Sequence, residues 1–218
     1  MEIQSVMIVW RFLLLPLAAY LIGSLSFAWL AGRLNGIDLR KYGSHSLGAT
    51  NAGRVLGRQW FAFVFVLDVA KGWGPVFTVD WALGSSGNTL LLLLVGASAV
   101  LGHVFTCFHN FRGGKAVATS LGVLIAVLPL VAALSFAIWL VVLLAQWAVS
   151  DRCRSDAVGP ASVVAAVAAP IIHLLSVESP WNRQALPLTV FVLLLSILIV
   201  LKHRSNIAKL FAQVQHTS

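Results

Sequence analysis

Charge is what this chain has least of. Of its 218 residues, 10% are Asp, Glu, Lys or Arg, against about 25% in an ordinary soluble domain. Acidic residues number seven, and no pair of them is placed for glycosidase chemistry. Cysteine is nearly absent too. Cys107 and Cys153 have neither metal spacing nor a secretory framework, which excludes a disulfide scaffold and a thiolate zinc site. No Gly-x-Ser-x-Gly elbow is present for a serine acyl-enzyme, no internal repeat stands out, and no low-complexity linker occurs.

In place of charge the chain carries apolar residues. They make up 59% of it, and the mean hydropathy is +0.91. These values exclude a soluble globular domain and a disordered chain, and leave an all-α polytopic membrane protein. A span needs about 20 apolar residues. The pattern predicts seven transmembrane helices: Val6–Gly32, Gln59–Leu83, Thr89–Phe108, two within Ala116–Val149, Ala157–Leu175 and Ala185–Leu201. The fourth and fifth divide near Leu128, Pro129 and Leu130, because the uncharged stretch is too long for one crossing and proline breaks a helix. Glu2 stands where a cleaved signal peptide would be basic, so the run Phe12–Leu30 reads as a retained span. The runs are too long for barrel strands, and the spans are expected to pack as a single domain over residues 1–218.

The net charge is +8. Basic residues interrupt the apolar runs instead of forming one patch, so no nucleic-acid partner is expected, and membrane orientation is the better reading. One side collects Arg33, Arg40, Lys41, Arg54, Arg58, Arg112, Lys115, Arg152, Arg154, Lys202, Arg204 and Lys209. The other has Arg183, with Arg11 near it. Twelve against two predicts an N-terminus outside and a cytoplasmic C-terminus.

The remaining polar residues fall into four clusters. In the first, Lys41 to Arg54, Gly43, Gly48 and Gly53 free the backbone. Ser44, Ser46, Thr50 and Asn51 offer neutral hydrogen bonds, and Arg54 a phosphate-matching fork. An ordinary basic loop of turn residues fits the same pattern. The second runs from Gly102 to Thr119. Its Gly113, Gly114 and Lys115 lead into a helix, an arrangement suited to cradling an anion. It lacks the spacing of a Walker loop, and a short charged turn is the plainer reading.

The third cluster, Asp68, Lys71 and Gly72, lies inside a predicted span. Its two charges are three residues apart, on one helix face, where they are able to pair. It reads as a structural ion pair or as part of a site. The fourth, Lys202 to Lys209, exceeds what anchoring needs by His203 and Asn206. His173 reads as a packed or interfacial histidine. His45, His109 and His216 form no metal set with it, so no metal and no other cofactor is expected. Together the clusters predict a membrane-embedded site for a phosphorylated substrate, beside apolar helices able to hold an acyl chain.

These motifs resemble the bacterial membrane acyl-phosphate:glycerol-3-phosphate acyltransferase family over most of the chain. The resemblance rests on Gly23 and Ser24; Gly36 to Arg40; Gly43, Ser44, Gly48 to Asn51 and Arg54; and Asp68, Lys71 and Gly72. It continues through Gly102, His103 and Phe105; Phe111 and Gly113 to Lys115; Val117 to Thr119; and His203, Arg204, Asn206 and Ile207. It implies seven spans in the bacterial inner membrane with the conserved segments facing the cytoplasm. It also implies acyl transfer from acyl-phosphate to the 1-hydroxyl of sn-glycerol 3-phosphate, giving lysophosphatidic acid and phosphate, the first acylation of phospholipid synthesis.

By position, the resemblance makes Ser44, Lys115, His203 and Asn206 catalytic. Arg54, Thr50, Asn51, Gly113, Gly114 and Lys115 would bind substrate phosphates, with Asp68, Lys71 and His103 in support. The partners would be the two substrates, the lipid bilayer and the enzyme that supplies acyl-phosphate. The chain departs from the family pattern at His45 and Ser46 (usually Gly-Asn), Thr106 (usually Pro), Ala116 (usually Gly), and Gln213 and Gln215 (a Gly-x-Glu). Ser155 and Ser162 both suit a family serine. Two alternatives stand beside this reading: a transporter or binding protein for a phosphorylated metabolite, which would need gating groups on both faces, and a diverged acyltransferase paralogue.

Overall fold

A computed structural model describes residues 2–84, 88–149 and 156–208. The expectations placed on Arg152, Cys153, Arg154, Ser155, Lys209, Gln213, Gln215 and His216 lie outside the described residues. Among those described there are nine α-helices, two short 3-10 turns and no strand. The helices are α1 (Glu2–Ser24), α2 (Phe27–Leu34), α3 (Ala49–Leu56), α4 (Arg58–Leu83), α5 (Thr89–Val104), α6 (Val117–Val127), α7 (Pro129–Val149), α8 (Val158–Ser176) and α9 (Leu186–Lys202).

Five helical stretches are long and apolar enough to cross a bilayer: Val9–Leu34, Arg58–Leu83, Thr89–His109, Pro129–Ala148 and Val158–Ser176. Large apolar side chains such as Leu14, Val66, Val141 and Leu194 are exposed along these helices and α9, as lipid-facing residues are. The chain is an all-helical membrane protein.

The outlines of the predicted spans recur, with three differences. The first span is broken at Leu25 and Ser26, where Ser26 caps α2 by accepting from the Trp29 N–H at 3.2 Å. The polar segment after it contains α3, an eight-residue helix. The fourth span is only the 11 residues of α6. At about 1.5 Å per residue α6 is some 16 Å long, half a bilayer core. Its limits lie where the sequence put them: Ala116 before it is left-handed, with φ 65° and ψ 4°, and it stops at Leu128 before Pro129 opens α7.

The chain divides into two compact units, residues 1–129 and 130–218. In the first, α1 packs on α5 and α4 on α6. Both contacts bring backbones together at glycine. A Cβ on Gly23 would strike the Ala99 carbonyl of α5, and one on Gly102 the Tyr20 carbonyl of α1. Gly72 of α4 and Gly122 of α6 likewise abut the Thr119 and Val69 carbonyls of each other's helix. Small residues at such crossings replace hydrophobic burial as the packing device in lipid.

In the second unit α8 packs on α9. Trp139 Nε1 of α7 donates to Ser162 Oγ at 3.2 Å, and Ser162 donates in turn to the Val158 carbonyl at 2.7 Å. His173, 1% exposed, lies 3.0 Å from Thr189 Oγ1, which donates to the Pro180 carbonyl at 2.7 Å. His173 is thus a packed histidine tying α8 to α9, while Thr189 ties the turn between them to α9.

Candidate anion-binding site

The loop before α3 is organised around one amide. Asn51 is 1% exposed. Its Oδ1 accepts from the Ser44 N–H at 2.7 Å, and its Nδ2 donates to the Leu39 and Tyr42 carbonyls, each at 3.1 Å. Three bonds from a buried amide fold residues 39–44 back onto α3. Gly43 has φ 62°, and a Cβ there would strike Asn51 Oδ1. Asn51 therefore spends its side chain on the loop, and the loop presents the neighbouring groups. Ser44 is exposed, Thr50 lies in the first turn of α3, and Arg54 lies partly buried in its last turn. At the loop's start Arg40 grips Asp38 through two guanidinium bonds of 2.9 Å. That guanidinium holds the Asp38 carboxyl down at about 2.

The segment between α5 and α6 is tied down along its length. Thr106, 1% exposed, donates from Oγ1 to the Ser24 carbonyl at 2.7 Å, and Tyr20 OH donates to the Phe105 carbonyl at 2.6 Å. The Gly113 N–H donates to Val104 O and the Gly114 N–H to His103 O, both at 3.1 Å. Both glycines are required by space. A Cβ on Gly113 would enter the His103 carbonyl, and one on Gly114 the His103 ring. Lys115, partly buried, and the left-handed Ala116 then lead straight into α6. Leading N–H groups of a helix whose first residues follow a glycine pair are an anion cradle by geometry.

Beneath this segment lies a buried charge cluster. Asp68, Lys71 and His103 are 2%, 5% and 5% exposed. Lys71 Nζ lies 2.9 Å from Asp68 Oδ1, and His103 Nδ1 lies 3.7 Å from the same oxygen. Lys71 also donates to the Leu25 carbonyl at 2.7 Å, at the break between α1 and α2, and sits 5.6 Å from the Phe27 ring centroid. An ammonium at a helix C-terminus meets the negative end of its dipole. The pair thus braces α4 against the α1–α2 break and α5.

A stack ties the second cluster to α2. The Arg33 guanidinium lies 5.2 Å over the Trp29 ring, and Trp29 lies 5.2 Å from the His109 ring. In the second unit, the His203 backbone caps α9, and its Nδ1 lies 2.8 Å from the Ile199 carbonyl. The tautomer that donates there leaves Nε2 as the ring's acceptor. The Asn206 amide packs on Gly159 of α8, where a Cβ would meet Asn206 Nδ2.

The structure thus gathers Asp68, Lys71, His103, Gly113, Gly114 and Lys115 into one assembly. It places Ser44, Thr50, Asn51 and Arg54 on the loop and helix α3 that pack against α2 and α4, and His203 and Asn206 just past the end of α9. Sequence reasoning noted Thr106 only as a departure from a pattern and gave Trp29 no part. A threonine hydroxyl's bond to a distant carbonyl leaves no periodic trace in sequence. Among the described residues no group of three His, Cys, Asp or Glu side chains is placed to hold a metal.

Two departures have a cost that the backbone displays. Ala116 and His45 stand where the resembling family has glycine, and both have positive φ, 65° and 58°. The left-handed region costs a non-glycine residue about 1–2 kcal/mol, offset in part by the unfolded-state freedom that glycine adds. Ala116→Gly is therefore expected to stabilise the protein by about 0.5–1 kcal/mol. A higher midpoint of thermal unfolding in detergent would show this, and an unchanged or lower one would contradict it.

Residues 13–213 match the family model described as glycerol-3-phosphate acyltransferase. Similar curated proteins of that name include one from Aquifex aeolicus, 36% identical over 94% of this chain and 97% of that protein. Another, from a Synechococcus strain, is 39% identical over 92% of this chain and 91% of that protein. The fold is similar to the crystal structure of PlsY, an integral membrane glycerol 3-phosphate acyltransferase, in its glycerol 3-phosphate form. The TM-score is 0.79 at 36% identity, covering 93% of this chain and 92% of that one. The lysophosphatidic acid form of PlsY gives 0.77 at 34% identity with the same coverage.

Proposed function

The chain belongs to the glycerol-3-phosphate acyltransferase family and is a membrane acyltransferase, and from that premise we propose that its donor is a fatty acyl-phosphate. The 1-hydroxyl oxygen of sn-glycerol 3-phosphate attacks the acyl carbon. The bond from that carbon to the phosphate oxygen breaks, and the products are lysophosphatidic acid and inorganic phosphate. The observation that carries the reading is the seated Gly113, Gly114 and Lys115 ahead of α6, where two glycines held by their own backbone bonds bring one ammonium to the leading N–H groups of a helix in a chain that otherwise avoids charge.

An acyl-phosphate is already activated and has a good leaving group. The protein's tasks are positioning and stabilising negative charge. The Gly113, Gly114 and Lys115 loop receives the acyl-phosphate, the glycines by letting the backbone come close and Lys115 by its charge. Ser44, Thr50 and Arg54 meet substrate phosphate, with Asn51 bracing their loop. His203 and Asn206 act on glycerol 3-phosphate, and either His203 or a phosphate oxygen of that substrate takes the hydroxyl proton. No acyl-enzyme forms, and neither a metal nor another cofactor takes part.

The whole chain works as one acyltransferase domain, since the family match runs through both units. Counting α6 and α9 as crossings restores seven, with the N-terminus outside and the site open to the cytoplasm of a bacterial inner membrane. The distribution of basic residues supports that orientation. The partner that the donor requires is the enzyme making acyl-phosphate. Offering purified protein acyl-phosphate, acyl-CoA and acyl carrier protein in turn tests the donor. Acyl-phosphate alone should support turnover, and equal rates with a thioester would reject it.

A further inference from the structure

We propose that Asp68 is a positioning residue for the Gly113–Lys115 cradle, acting through His103. The groups lie in one row, joined by charge at one step and by contact at the next. Asp68 Oδ1 is 2.9 Å from Lys71 Nζ and 3.7 Å from His103 Nδ1. The other edge of the His103 ring lies against Gly114, whose pro-Cβ direction points at Nε2, and the His103 carbonyl takes the Gly114 N–H at 3.1 Å. One residue thus holds the cradle twice, by its ring and by its carbonyl.

The roles of the three side chains follow from their order. A carboxylate 3.7 Å from Nδ1 is beyond hydrogen-bond range, and it favours the proton on that nitrogen by charge alone, turning that edge of the ring toward Asp68. Lys71, donating also to the Leu25 carbonyl, supplies the positive charge that lets Asp68 stay ionised at depth. An ion pair serving packing alone would have no need of a histidine ring wedged against the cradle's middle glycine. The importance of the cradle for catalysis rests on the acyltransferase reading; its seating by Asp68 does not.

The test uses full-length protein in detergent. Asp68→Asn with Lys71→Gln neutralises both charges together and keeps donors for the Leu25 carbonyl. Hydrogen–deuterium exchange then reads the amides of Gly113 and Gly114, and steady-state kinetics read each substrate. Exchange at 113–115 should quicken about tenfold or more, with α4 and α5 protected as before, and KM for acyl-phosphate should rise about tenfold, with KM for glycerol 3-phosphate unchanged. His103→Gln should reproduce both effects, and adding it to the double variant should add little, as expected of one coupled unit.

Wild-type protection at 113–115 in the double variant, or in His103→Gln should the double variant fail to fold, would overturn the proposal. A loss of protection spread evenly over the unit would also overturn it, by making the pair a packing element. Should the wild-type protein turn over no acyl-phosphate, the acyltransferase reading falls while the exchange result still decides the seating.

Discussion

Lys115→Ala is expected to lower acyl-transfer turnover by about 100- to 1000-fold while the protein folds normally. The magnitude follows from the loss of one preorganised charge-stabilising donor, worth about 3–4 kcal/mol in sites that exclude water. The leaving phosphate gathers negative charge as the acyl carbon is attacked. Lys115 is the ammonium that follows two glycines whose N–H groups are already bonded to Val104 and His103, so the loop is held in place with or without it. Lys115→Arg should recover part of the rate, since a guanidinium keeps the charge and changes the geometry. Phosphate release with a thermal melt alongside decides it. A Lys115→Ala protein within a few-fold of wild type would remove the lysine from the site.

Gly102→Val is expected to be the most damaging of the simple packing changes, costing about 3 kcal/mol or more. Overpacking of cores commonly costs 1–3 kcal/mol, and here no side chain is available to move aside. A Cβ on Gly102 would enter the Tyr20 carbonyl and approach Ser24 N at 2.9 Å and Gly23 C at 3.1 Å. All three are backbone atoms of α1, so the helices must part. Parting them also pulls on the bonds from Thr106 to Ser24 and from Tyr20 to Phe105 that anchor the 105–116 segment. Loss of yield and a fall in the unfolding midpoint should accompany loss of turnover. A well-folded Gly102→Val protein with normal activity would mean that α1 and α5 do not meet as described.

What was legible beforehand divides by physical cause. Span outlines could be read because lipid demands long apolar runs, and α4, α5, α8 and α9 begin or end within a few residues of the predicted limits. The pairing of Asp68 with Lys71 followed from helical spacing. The position of His103 between that pair and Gly114 did not, because it depends on how α4 and α5 lie together. The limits of α6 were legible as well, because the uncharged stretch begins at Ala116 and Pro129 divides it; that 11 residues reach only half a bilayer core was not drawn from them. Asn51 showed the opposite problem: an amide in a loop of small residues suggests ligand contact, yet its bonds to residues 39, 42 and 44 occupy it. The scarcity of charge proved the most useful single feature, since each buried ion in so apolar a chain has a task that its neighbours reveal.

The account's central claim is acyl transfer from acyl-phosphate to glycerol 3-phosphate. Purified protein in lipid nanodiscs, given both substrates, tests it most directly. Lysophosphatidic acid and inorganic phosphate should appear in equal amounts, with no acylated protein accumulating. Well-folded protein that forms no lysophosphatidic acid, yet carries glycerol 3-phosphate into liposomes, would contradict it.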